Sequence, residues 1–139
     1  MSRLERYRGL SPPGRKIVWQ SLILLPAAAM LVAMCGLAST TPIFRRLRAP
    51  RQDSALSPTE AARVVSAVAT LLRVGCLPKA VVLCHVLRNC GKRLEIRLGV
   101  APPAGALLSA HAWVELDGIP LNESAHVLER YHALPPLAG

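Results

Sequence analysis

Residues 17–38 run from Ile17 to Ala38 without one charged side chain. A stretch that apolar must be covered. Either it spans a bilayer, which takes about 20 apolar residues, or it is a helix buried against the protein or a partner. A signal-peptide reading belongs with the first option. Pro26 interrupts the run, and Arg15-Lys16 and Arg45-Arg46-Arg48 flank its two ends, so no orientation bias results. Frequent alanine also makes the stretch less oily than a leucine-rich span. Both placements fit the sequence.

The remainder must hold the folded domain. With 139 residues the chain accommodates one small domain and an appendage. Apolar residues make up 52 % of it, but Tyr7, Trp19, Phe44, Trp113 and Tyr131 are its only aromatics. Glycine and proline follow no period, which excludes collagen-like and low-complexity architectures. The net charge of +9 is uneven: residues 1–51 carry nine Arg or Lys against Glu5, and residues 52–139 carry eight against seven acids. The basic arm therefore attracts acidic peptides or anionic lipid. No stacked set of aromatics accompanies the arginines, so nucleic acid is the weakest of the candidate partners and is not expected. Cys35, Cys76, Cys84 and Cys90 form neither C-x-x-C pairs nor a dense disulfide framework. That usage points to a reduced, cytoplasmic protein.

Residues 49–57 have the composition of a linker. Ser57 then reads as an N-cap, with Pro58 at the first helical position and Glu60 three residues after the cap. Ala61, Val64, Val65, Val68, Leu71 and Leu72 follow at the spacing of a core-facing stripe, and Gly75 stops the helix. Cys76-Leu77-Pro78-Lys79 opens a second helix, with Ala80, Leu83, Val86, Leu87 and Cys90 as its apolar side. Leu94 to Leu98 alternates as a half-buried strand. Ala101 to Ser109 reads as a loop, Ala110 to Leu116 as a second strand, and Asp117-Gly118 as a turn into a third strand, Ile119 to Glu123. The tail carries little signal. This order predicts an α+β fold, with helices on one face of a small antiparallel sheet.

Two residues have the chemistry of a nucleophile and its base. At a helix start, the Cys76 sulfur meets the positive end of the helix dipole, which favours thiolate, and a nearby amide N–H can hold an oxyanion. The bland alternative is a small buried hydrophobe at a helix cap. His111 opens the second strand and shares a face with Trp113 and Glu115, while Ala112, Val114 and Leu116 take the other. Its bland alternative is a core histidine bonded to backbone. Cys84 and Cys90 fall where the dipole opposes a thiolate and read as packing residues, as does Cys35. A zinc site from Cys84, His85 and Cys90 has poor spacing. A third group should orient the imidazole. A two-residue turn at Asp117-Gly118 pairs Trp113 with Asn122 and favours Asn122. A three-residue turn pairs His111 with Glu123.

The segments Cys76-Leu77-Pro78-Lys79-Ala80, Leu98-Gly99-Val100 and Ala110-His111-Ala112-Trp113-Val114-Glu115-Leu116-Asp117-Gly118-Ile119-Pro120-Leu121-Asn122-Glu123 resemble the transglutaminase-like B proteins of lasso-peptide biosynthesis. The resemblance covers about residues 57 to 134. It implies a papain/transglutaminase-like cysteine-protease core over residues 51–139, preceded by a basic N-terminal arm with an apolar helix over residues 1–50. It further implies a leader peptidase with Cys76 as nucleophile, His111 as base and Glu123 at the position of the family's aspartate. Asn122 is the alternative orienting group. The implied partners are a lasso precursor peptide, a separate leader-binding protein and a lasso cyclase, with no metal or organic cofactor. Thr41-Pro42-Ile43-Phe44-Arg45-Arg46 loosely matches the family's patch after its apolar helix. That match implies a helix at residues 17–38 that faces the leader or a partner, with membrane contact as the other option.

Overall fold

The computed structural model describes residues 2–47, 56–104, 107–121 and 131–134, with side chains described outside 101–109. Among the described residues five helices come first: α1 (Arg3–Arg8), α2 (Pro12–Cys35), α3 (Leu37–Arg46), α4 (Pro58–Leu72) and α5 (Cys76–Val86). Four strands follow: β1 (Leu94–Ala104), β2 (Leu107–Leu116), β3 (Ile119–Pro120) and β4 (His132–Ala133). They form one antiparallel sheet in the order β3-β2-β1-β4. The α+β layering expected from the sequence is present.

The uncharged run is divided between two helices. Ser11 caps α2, its hydroxyl accepting from the Gly14 N–H at 3.4 Å, and Pro12 takes the first turn. Pro26 lies inside α2 and has no N–H to give the preceding turn, yet the helix continues to Cys35. It ends because Gly36 adopts φ +79°, and α3 starts at Leu37. One side of α2, with Ile17, Ser21, Leu25 and Ala28, is buried against α4 and α5. The other side is exposed.

The Ser57 hydroxyl accepts from the Glu60 N–H at 3.2 Å, so α4 starts as its sequence indicates. Ala61, Ala62, Val64, Val65, Val68 and Ala69 are buried, but Leu71 and Leu72 are 47 % and 37 % exposed because α4 runs out past the packed core. The helix closes before Gly75. Arg73 takes the left-handed position (φ 57°, ψ 37°), with Val74 N–H donating to the Ala69 carbonyl at 2.9 Å and Arg73 N–H to Thr70 at 3.2 Å. This is a Schellman closure without its usual glycine. Gly75 instead caps the next helix. α5 is apolar nearly all round and lies at the centre, packed on α2, α4 and both long strands.

β1 and β2 form a longer hairpin than expected: the segment 101–109 read as a loop is largely strand. The two prolines in it are tolerated because Pro102 and Pro103 fall where the register shifts between Ala101↔Ser109 and Ala104↔Leu107. The Asp117-Gly118 turn has φ +50° and +83° at its central residues, and pairs Leu116 with Ile119 and Glu115 with Pro120. That is the two-residue register, and the Leu121 N–H continues it by donating to Val114 at 2.8 Å. Asp117 also ties the turn to the start of β1: its carboxylate accepts from the Arg93 N–H at 2.9 Å.

Candidate active site

Cys76 is the first residue of α5, and Gly75 before it is extended (φ −70°, ψ 174°) with no side chain to accept from the first-turn amides. The Lys79 N–H reaches back to the Gly75 carbonyl at 3.3 Å. Pro78 has no N–H, so the amides of Cys76 and Leu77 are the donors at this helix end. The thiol itself is half-buried at the margin of the helical core. Those amides suit a developing oxyanion.

His111 lies in β2, opposite Gly99 of β1. Register fixes the faces. Leu94, Ile96, Leu98, Ala112, Val114 and Leu116 belong to or pack on the core shared with the helices. Alternation therefore turns Glu95, Arg97, Gly99, His111, Trp113 and Glu115 to the other face. The His111 ring stacks on Trp113 with centroids 5.9 Å apart and planes at 25°, and lies 5.3 Å from the Tyr131 ring. Trp113 is 2 % exposed, and its indole N–H donates to Glu115 Oε2 at 3.0 Å. Arg97 Nε lies 3.9 Å from the other oxygen of Glu115, which compensates a carboxylate only 7 % exposed. Gly99 makes room for the cluster: a Cβ there would stand 2.7 Å from both Trp113 Cζ3 and Tyr131 Cβ.

The elements carrying the two expected residues meet, since α5 packs on β2 and β1. The second half of α5 (Val81, Cys84, His85) adjoins Leu94 and Ile96 at the start of β1. Counting from there, Cys76 lies about 12 Å back along the helix from Cys84, and Gly99 about 16 Å along β1 from Leu94. The first turn of α5 and the Gly99–His111 pair thus lie toward the same end of the sheet. Cys76 nevertheless packs on the helical side of the sheet, whereas the His111 side chain lies on the face turned from it, so the structure does not bring these two side chains together. Asn122 and Glu123 lie outside the described residues.

Cys84 and His85, on the second half of α5, sit in perturbing surroundings. Burial, with Cys90 beside it, pushes the Cys84 thiol up to about 12, so it stays protonated at neutral pH. Burial and then the Arg88 charge push His85 below the ordinary histidine range, with a backbone contact to Phe44 opposing them. The aromatic partners of His111 include one the sequence did not flag, Tyr131. Its segment looked like an uninformative tail, yet β4 returns there to pair with Gly99 and Val100.

A family model of the transglutaminase-like superfamily matches residues 22–135. No curated protein matches the chain, and no solved structure does.

Proposed function

The chain belongs to the transglutaminase-like superfamily, and on that premise we propose that it is a cysteine endopeptidase removing the leader from a ribosomally made lasso-peptide precursor. Superfamily membership brings cysteine peptidases into scope. The observation that carries the finer reading is Cys76 on the first turn of a helix whose terminal amides have no side-chain cap, on an element packed against the histidine-bearing strand. In the reaction, the Cys76 thiolate adds to the scissile carbonyl. His111 takes the thiol proton and returns it to the departing amine. Water then hydrolyses the thioester, with His111 again the base. Glu123 orients the imidazole, with Asn122 as the alternative. The substrate is delivered by a separate leader-binding protein, and a cyclase acts on the released core. The setting is cytoplasmic.

The partner-facing surface is the outer ridge of α2, where Trp19, Ile23, Met30 and Met34 are 60 %, 71 %, 63 % and 75 % exposed. α2 also has the length and composition of a membrane span, so attachment to a bilayer is the competing use of this ridge.

Cleavage of a cognate precursor tests the peptidase. Cys76→Ala and His111→Ala should each lower the rate by at least about a hundredfold with an unchanged circular dichroism spectrum. Retained activity in either variant removes the assignment. A second reading, a non-hydrolytic binding partner with the same fold, has one observation in its favour: the His111 ring sits in an aromatic stack on the sheet face turned from the helical core. Iodoacetamide separates the two. A poised nucleophile is alkylated at the half-buried Cys76 well before the exposed Cys35, whereas a binding partner shows no such preference.

A further inference from the structure

A cavity of about 430 Å³ opens between α3, the second half of α5 and the start of β1. Phe44, Val81, Leu94 and Ile96 give it apolar walls. Its polar lining is largely engaged already. The Thr41 hydroxyl donates to the Leu37 carbonyl at 3.0 Å, and the Arg88 guanidinium donates to the carbonyls of Phe44, Arg45 and Leu47. Cys84 stays a protonated thiol at neutral pH. His85 differs. It lines the cavity, is only 6 % exposed, and its Nδ1 has no hydrogen-bond partner among the described residues. An atom of that kind is costly to leave alone in a buried wall, and it marks where a ligand would bring a polar group. The Phe44 ring meets the imidazole edge-on, with centroids 5.7 Å apart and planes at 82°, so an aromatic wall stands next to the unpartnered nitrogen.

We propose that this cavity is a binding site for a small neutral phenol, its ring against Phe44, Val81, Leu94 and Ile96 and its hydroxyl on His85 Nδ1. Three properties select that occupant. Apolar walls favour a hydrocarbon body over a polar or charged one. A ring fits, because an apolar cavity of roughly 150 Å³ already holds benzene and this one leaves room for substituents. The hydroxyl follows from the histidine. Burial keeps the imidazole neutral at neutral pH, with one N–H and one lone pair. A phenol O–H both donates and accepts, so it satisfies Nδ1 in either tautomer, whereas an indole N–H serves only one of them. The site lies apart from Cys76, goes beyond the peptidase reading and needs none of its chemistry.

The test uses the full chain and two probes of nearly equal shape, para-cresol and toluene, titrated while the histidine ring resonances are followed by NMR. Para-cresol should bind about tenfold more tightly than toluene, the effect of one hydrogen bond to a buried atom. It should shift the His85 resonances and leave those of His111 and His132 in place. His85→Phe should erase the preference for para-cresol. Thr41→Trp, at a half-buried position on the cavity wall, should block both probes, and it keeps the test open if His85→Phe does not fold. Equal affinity for the two probes, or tighter binding of toluene, overturns the proposal. So does para-cresol binding that leaves His85 unmoved or survives Thr41→Trp, which would place the phenol elsewhere on the molecule. Failure of both probes to saturate below their solubility limits overturns it as well. Binding is the only readout, so precursor cleavage can succeed or fail without touching this result.

Discussion

Gly99 shows how one missing methyl group organises the sheet face around His111. Its neighbours across the strands are His111 on β2 and Ala133 on β4, and the Trp113 indole lies over it. A Cβ would approach Trp113 Cζ3 and Tyr131 Cβ to 2.7 Å, closer than side chains pack. Trp113 has no room to retreat, being 2 % exposed and tethered to Glu115. Gly99→Ala should therefore cost about 1–3 kcal/mol, as overpacking in a filled core does, read as a lower urea midpoint at unchanged slope. Trp113→Phe removes the two indole carbons nearest that Cβ and should restore part of the loss in the double variant, leaving the Tyr131 contact. A cost equal to that of two independent substitutions would show that the indole does not occupy this space.

At the scale of elements, the α4–α5 junction is where local signals competed. Arg73 holds a left-handed conformation that favours glycine, and two hydrogen bonds close α4 around it. Arg73→Gly should stabilise the fold by about 1 kcal/mol, seen in chemical denaturation, because the side chain pays a steric penalty there. The nearby Gly75 drew the sequence expectation to itself and was needed for the next cap instead. Signals that act within one turn were legible: Ser57 before Pro58, Cys76 at a helix start, and Asp117-Gly118 with its two positive φ values. Signals that depend on distant partners were not. Pro102-Pro103 looked like a loop until a register shift gave those residues a place in the hairpin. The faces of β2 followed from alternation, but the contribution of Tyr131 came from a two-residue strand too short to carry a pattern.

Over the whole molecule, α2 has two sides with separate duties, and they can be tested apart. Ile17, Leu25 and Ala28 join residues of α4 and α5 in one core, so this side holds the fold together. Trp19, Ile23, Met30 and Met34 are all at least 60 % exposed, and stretch along about 22 Å of helix. Trp19 has a structural tie, its N–H donating to the Tyr7 hydroxyl at 3.0 Å, but the other three are exposed far from that contact. Apolar area of that extent on a folded surface is characteristic of an interaction site. Replacing Ile23, Met30 and Met34 together by glutamate should leave the unfolding midpoint within about 0.5 kcal/mol of the parent value per substitution, since no core contact is lost. The same change should abolish whatever association the ridge provides. If the ridge meets the leader-binding protein, the variant elutes alone in gel filtration where the parent chain elutes with that protein. If it meets a bilayer, the variant leaves the vesicle pellet while the parent stays in it. A large fall in the midpoint would instead mean that the exposed side of α2 packs within the fold, and that the partition of this helix into a core face and an outer face is wrong.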